Sequence, residues 1–297
     1  MNGYDRRPTP SPAWDFFANR VAVLATMHRK EQVIAPLLQQ ELGLQVVLPE
    51  GLDTDQFGTF TRDRDRPGSQ LEAARLKARK ALELTGQTLA IASEGSFGPH
   101  PSLPAIACNR ELVVLLDEVN QLEIVGQVVS LETNFQHQTV GSVEQAWAFA
   151  QKVGFPDHGL VVMTHPQARQ ADALIKGITD RETLVAAVTA ILQRSPNGTA
   201  HLETDMRALY NPTRMKVIAQ ATQDLLQAIR RICPQCGCPG MQVVAHRPGL
   251  PCGLCGQPTS LTAALQLGCQ KCQFQQQTRF PDGIQTADPA HCSYCNP

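Results

Sequence analysis

Four Cys-x-x-Cys pairs stand in the last quarter of the chain: Cys233 with Cys236, Cys252 with Cys255, Cys269 with Cys272, and Cys292 with Cys295. A turn of this kind lets both sulfurs face one ion, and two turns complete the tetrahedral four-sulfur shell that Zn²⁺ accepts. Eight ligands therefore predict two zinc ions. Their role is structural, because residues 233–297 hold too few apolar side chains to fold without the free energy of metal binding. Only Cys108 lies outside this segment among the ten cysteines. Clustered pairs in a chain with no export signal favour metal over disulfides. Gly237 and Gly256 follow the first two pairs, where a metal knuckle turns left-handed. The simplest pairing joins pairs one and two, then three and four, with nested and crossed pairings open. Cys238, His246 and His291 are spare ligand candidates, read as bystanders.

A second set of candidates is polar and scattered. The stretch ASEGSFGPHP (92–101) closes an apolar run with one carboxylate, Glu94, among Ser93, Gly95, Ser96 and Gly98. In ATMHRKE (25–31) a strand gives way to a helix start, whose free N–H groups, with Arg29 and Lys30, suit a phosphate. A turn with a solvated basic patch is the plainer reading. In EAARLKA (72–78), Glu72 and Lys77 are five apart and do not pair along one helical face. HLETDMRALYNPTRM (201–215) gathers Glu203, Asp205, Arg207, Asn211 and Arg214. Either this is a capped, salt-bridged surface with Asp205 at the helix start, or Arg207 and Arg214 are forks that grip an anion. Asp53 and Asp55 form a weaker carboxylate pair, ordinarily a plain turn.

Three of these segments together resemble the inosine-triphosphate pyrophosphatase-like group of nucleotide hydrolases. The match runs through Thr26, His28 and Lys30, then Glu72, Lys77 and Ala78, then Ser93, Glu94, Gly95 and Ser96, and covers roughly residues 20–130. The first-loop lysine is one position early, and His28 replaces an asparagine. The resemblance implies a Mg²⁺ or Mn²⁺ ion held by Glu72 and Glu94 against phosphates, with the small neighbours of Glu94 leaving room. As a whole, ASEGSFGPHP, ETDMRALYNPTRM, GLPCGLCGQPT and the final CNP resemble an uncharacterised bacterial domain-of-unknown-function family. That family joins an α/β domain to a terminal zinc domain.

The elements that must position these residues follow from periodicity. Strands are expected at RVAVLAT, LQVVL, TLAIAS, ELVVLLDE, LEIVGQVVS, GLVVM and TAHLE, and helices over 29–42, 69–84, SVEQAWAFAQKV, DRETLVAAVTAILQR and PTRMKVIAQATQDLLQAIRR. The alternation predicts an α/β domain over 20–231 with a mostly parallel or mixed sheet flanked by helices. A flexible tail over 1–19 precedes it, and a small double zinc-ribbon-like domain over 232–297 follows.

Composition bounds the partners. The 297 residues are 42% apolar and 18% charged, with net charge −1, which gives no general attraction to nucleic acid or anionic membrane. The zinc segment has three bases (Arg247, Lys271, Arg279) and two acids (Asp282, Asp288), so nucleic acid is disfavoured there too. No apolar run spans a bilayer, and the start lacks a signal-peptide core, so the sequence reads as cytoplasmic. Three readings follow. The first is a divalent-metal-dependent phosphohydrolase acting on a nucleotide or small phosphate compound. The second is a non-catalytic adaptor that binds a small anionic ligand and docks a protein through the zinc domain. The third is a nucleic-acid-binding zinc-ribbon protein.

Overall fold

The computed structural model describes residues 16–54, 68–168 and 174–297. Asp55 and residues 1–15 of the expected tail lie outside these. Phe17, assigned to that tail from sequence, is fully buried in the core.

The first unit is built on β1 (Val21–Ala25), α1 (Glu31–Leu42), β2 (Gln45–Val47), α2 (Gln70–Thr85) and β3 (Leu89–His100). β1 pairs in parallel with β2 on one side and β3 on the other. β4 (Leu103–Asp117) and β5 (Leu122–Ser130) then add antiparallel, giving the order β2-β1-β3-β4-β5. Both faces of this sheet are covered. Ile34, Leu38 and Leu42 repeat at one-turn spacing along α1 and pack with Leu89, Ile91, Val113 and Leu115. The last long helix, α5 (Pro212–Ile229), lays Ile218, Ala221 and Leu225 on that same face. Ala74, Ala78 and Ala81 of α2 meet Ala90, Ala92, Leu112 and Val114 on the opposite face. Two-sided burial explains why these strands read as continuous apolar runs.

The second unit has β6 (His137–Val140), α3 (Val143–Lys152), β7 (Leu160–Met163), β8 (Leu174–Ile178), α4 (Arg181–Arg194) and β9 (Ala200–Thr204). Its sheet runs β6-β9-β7-β8 with every pairing antiparallel, over a core of Phe149, Leu160, Leu184, Val188, Ile191 and Leu202. The fold is therefore mixed α/β, with two sheets where the alternation of elements suggested one. Among the described residues, parallel pairing between strands is confined to β1 with its two neighbours. Alternation alone does not tell a crossover from a return connection, and HQTV and LIKGI are too polar or glycine-broken to announce strands.

TLAIAS also needs correction. β3 does not stop at Ser93 but runs to His100, paired along its length with β4 through a turn at Pro101 and Ser102. Glu94 thus sits inside a strand, where strand-breaking glycines and prolines had suggested an end.

The cysteine-rich segment folds as an antiparallel sheet of β10 (Gln242–Pro248), β11 (Thr262–Gly268) and β12 (Gln275–Arg279). It is fastened to the β4–β5 hairpin. Gln270 Nε2 and Gln242 Nε2 both donate to the Glu123 carbonyl, at 2.8 and 3.1 Å, and Leu122 packs against Cys233, Met241 and Cys269. Among the described residues no helix is long and apolar enough to cross a membrane.

Candidate metal centres and a buried charge cluster

Two tetrads gather the eight paired cysteines: Cys233, Cys236, Cys269 and Cys272 in one, Cys252, Cys255, Cys292 and Cys295 in the other. The pairing is crossed, first pair with third and second with fourth, so the simpler sequential arrangement is set aside. Strand pairing decides this. β10–β11–β12 folds back on itself, and the turn between β11 and β12 brings the third pair beside the first.

The local turn is the same in all four pairs. The backbone N–H four residues after the leading cysteine donates to that cysteine's carbonyl: Gly237 to Cys233, Gly256 to Cys252, Gln273 to Cys269 and Asn296 to Cys292. Gly237 and Gly256 take φ of 71° there, as their positions predicted. Gln273 takes φ of 61° with a side chain attached.

Sulfur geometry fits zinc. Zn–S bonds of about 2.3 Å in a tetrahedron put sulfurs about 3.8 Å apart. Cys233 to Cys272 is 3.6 Å, Cys236 to Cys269 is 3.7 Å, Cys252 to Cys295 is 3.9 Å and Cys255 to Cys292 is 3.7 Å. Such separations are far beyond a disulfide bond. Within the second tetrad the thiols are driven apart: the backbone N–H groups of Cys255 and Leu254 hold Cys252 down to about 7, while the Cys255 thiol beside it pushes Cys295 up to about 12. Of the spare candidates, Cys238 is buried beside the first tetrad, with burial pushing its thiol up to about 11. Neither it nor His246 nor His291 joins a tetrad.

The polar candidates of the α/β body meet around residues 93–97 of β3, whose pleat sends alternate side chains to opposite faces. On the α2 face, Glu94 is 3% exposed and accepts from Lys77 Nζ at 2.5 Å. Gln70, the first residue of α2, donates to the Glu94 carbonyl at 2.6 Å. On the other face, Lys30 at the start of α1 donates to the Ser93 hydroxyl at 3.0 Å and carbonyl at 3.3 Å. Beyond it, Arg214 of α5 reaches Glu111 of β4, Nε to Oε1 at 2.7 Å, and also the Met206 carbonyl at 2.6 Å. Its guanidinium lies 5.3 Å over the Phe97 ring.

Gly95 is what makes this possible. A Cβ there would run into Glu111 Oε1 and the Arg214 guanidinium. The small residues around Glu94 thus make room for a neighbouring ion pair, where the resemblance had implied room for metal and phosphate.

Lys30 titrates unusually. Burial, then the nearby Arg214 and Lys77, lower its pKa to about 7 against the pull of Glu111 and Glu94.

The remaining candidates are placed elsewhere. Glu72 is exposed and closes a capping box with Ser69, its carboxylate accepting from the Ser69 N–H at 2.6 Å. Among the described residues, groups of three or more side chains able to hold one metal are the two cysteine tetrads alone. Thr26 Oγ1 accepts from the His28 N–H at 3.4 Å in the loop after β1. Ser96 lies opposite Arg110 on β4. Asp205 holds Arg207, Oδ2 to Nη2 at 2.6 Å, and accepts from the Arg207 N–H at 3.0 Å. Asn211, not Asp205, caps α5 by accepting from the Arg214 N–H at 2.9 Å. The two arginines read as forks for one anion thus face different protein carboxylates. Asp205, Asn211 and Arg214 are at most 1% exposed, so this is an interior network. Sequence reasoning missed Glu111, Gln70 and the pairing of Lys77. A signal existed: Glu111 and Asp117 are acids bracketing the apolar run LVVLL.

A family model described as a domain of unknown function, DUF6671, matches residues 77–297. The chain belongs to this family. The span matched by DUF6671 begins at Lys77 and takes in Glu94, Glu111, Arg214 and both cysteine tetrads. No curated protein matches the chain in sequence. Among solved structures, protein VC0702 from Vibrio cholerae is similar at 11% identity and a TM-score of 0.31, covering 71% of this chain and 94% of that one. A likeness that loose carries no argument for this DUF6671 chain.

Proposed function

We propose that this protein binds a small anionic, phosphate-bearing ligand on its α/β body and uses two zinc ions to hold its C-terminal module. The observation that carries the reading is the charge balance around residues 93–97 of β3. Three buried bases, Lys30, Lys77 and Arg214, share two buried carboxylates, Glu94 and Glu111, and burial with the two neighbouring cations leaves Lys30 at a pKa of about 7. The cluster lies past the carboxyl end of β1, between β1 and β3. There the chain departs to β2 on one side and returns to β3 on the other, the place where open α/β sheets bind ligands. Two helices, α1 and α2, begin against it through Lys30 and Gln70.

Lys30 near neutrality is the adjustable element. An arriving phosphate supplies the missing negative charge and draws Lys30 to its ammonium form. Thr26 and His28, in the loop that leads to Lys30, are further polar groups near it in sequence, while Ser96 shares the face of Glu94.

The finer reading, a Mg²⁺- or Mn²⁺-dependent phosphohydrolase with Glu72 and Glu94 on one ion, is less favoured. It requires Glu94 to leave Lys77 and Glu72 to leave its cap. The match that begins at residue 77 lends no support to kinship with the inosine-triphosphate pyrophosphatase-like group.

Calorimetry with phosphate, pyrophosphate and nucleoside triphosphates tests the proposal, with and without Mg²⁺, at pH 7.5 in buffers of differing ionisation enthalpy. The expected result is saturable binding with proton uptake, weakened at least about tenfold in Lys30→Met. Indifference to every anion at millimolar concentration would overturn it. Mg²⁺-dependent phosphate release that vanishes in Glu94→Gln would establish the hydrolase instead.

A further inference from the structure

The zinc module has one fastened end and one bare end. The first tetrad packs on Leu122, while the residues around the second carry Leu254 at 74%, Ile284 at 60% and Tyr294 at 76% exposure. Leu254 and Tyr294 are interior residues of the second and fourth Cys-x-x-Cys turns, so large apolar side chains are held out by the same turns that gather the sulfurs. Ile284 borders a cleft of about 420 Å³. Leu250, Leu261 and Ile284 line it together with Asp282, Asp288 and His291, and no lysine or arginine does. Its volume lies in the range of pockets that seat a discrete ligand group.

We propose that this cleft docks a cationic peptide segment of a partner protein, with one aliphatic side chain seated on Leu250, Leu261 and Ile284. Flanking lysines or arginines then lie beside Asp282 and Asp288. Charge argues for this occupant. Four thiolates around one Zn²⁺ leave two negative charges at the second tetrad, whose Cys252 is bridged to Ala287, the residue before Asp288. Asp288 already accepts from the Ala290 N–H at 2.8 Å, so its charge is held in place by the turn it caps. An acidic peptide or a nucleic acid would meet like charge there, and an uncharged apolar segment would bring no counter-charge to Asp282. The proposal rests on the second tetrad holding its ion, which metal analysis reports separately from binding.

The test is fluorescence anisotropy of a labelled Lys-Arg-Leu-Leu-Arg-Lys peptide, and of its Glu-Asp-Leu-Leu-Asp-Glu counterpart, on the full zinc-loaded chain. The basic peptide is expected to saturate well below about 1 mM, the acidic one not at all. Ile284→Ser should weaken binding about tenfold or more, and Asp282→Asn should weaken it and flatten its salt dependence. Both side chains lie outside the tetrads, so zinc content and melting temperature should stay unchanged. Equal binding of the two peptides, no saturation, preference for duplex nucleic acid, or undiminished affinity in Ile284→Ser with both zincs present would overturn the proposal.

Discussion

Arg214 and Glu111 are 103 positions apart in sequence and meet with both side chains at most 1% exposed. Arg214 also donates to the Met206 carbonyl, in the segment that leaves the second sheet, while Glu111 belongs to the first. One guanidinium therefore ties the two units together. Its pair with Glu111 persists because each charge answers the other out of water; alone, either would be costly.

Glu111→Gln should accordingly destabilise the protein by about 3–5 kcal/mol, since it leaves the Arg214 cation buried without its counter-charge. Denaturant unfolding measures this. A double change, Glu111→Leu with Arg214→Met, should recover much of the loss, and a double variant as unstable as the single one would contradict this account.

Gly95→Ala should cost about 1–3 kcal/mol, because the added methyl group enters space held by Glu111 and Arg214. Ser96→Ala, one position along and half-buried, should stay within about 0.5 kcal/mol. Comparing the two melts separates the close approach from a general intolerance of β3.

Lys30 should make stability rise with pH above neutrality. Its folded-state pKa, about 7, lies below the 10.5 of the unfolded chain. Between those values the unfolded state binds a proton that the folded state does not, so stability increases with pH, by about 5 kcal/mol over the whole window. The penalty is complete below pH 7. Lys30→Met should remove this slope in unfolding experiments from pH 7 to 10, and an unchanged slope would place the proton elsewhere.

Purified protein should carry two zinc ions per chain by elemental analysis, and its two centres should fail differently. Replacing Cys252 and Cys255 with serine should lose one ion and leave the α/β body melting as before. The same change at Cys233 and Cys236 should lose the other and lower the body's melting temperature, because that tetrad packs on Leu122.

Gln273→Gly should stabilise the first tetrad by up to about 1 kcal/mol, since a side chain at φ of 61° carries a left-handed penalty that glycine escapes. Slower zinc release to a chelator is the measurement. Gly237→Gln should move it the other way.

Much of the architecture was legible because long apolar periods announce themselves. Among the described residues the five α-helices and β1, β2, β5, β7 and β9 stand where periodicity put them. The eight cysteines declared a metal, yet their crossed pairing depends on how β10, β11 and β12 return on one another, which spacing does not encode. The misreading of β3 had a definite cause. Glycine, serine and proline after Ala92 signal a turn when read locally, and only β4 lying alongside keeps that stretch extended. The charge cluster was half visible: Lys30, Glu94 and Arg214 stood out, but pairing is a tertiary property. Lys77 belongs to Glu94, and Arg214 to a glutamate more than a hundred positions away.

The alternation of faces along residues 93–97 has a bearing on how the chain finds its register. A slip of β3 by one residue would turn every side chain over. Glu94 would join Glu111 on one side of the sheet, and Lys77 would be left against the small residues Ser93 and Gly95. An apolar strand flanked by apolar helices tolerates such an error at modest cost, because one aliphatic contact replaces another. Here the misthreaded sheet would bury a lysine alone and crowd two acids together. The pairs Lys77–Glu94 and Arg214–Glu111 thus single out one register of the finished sheet, which aliphatic contacts alone would leave less sharply defined.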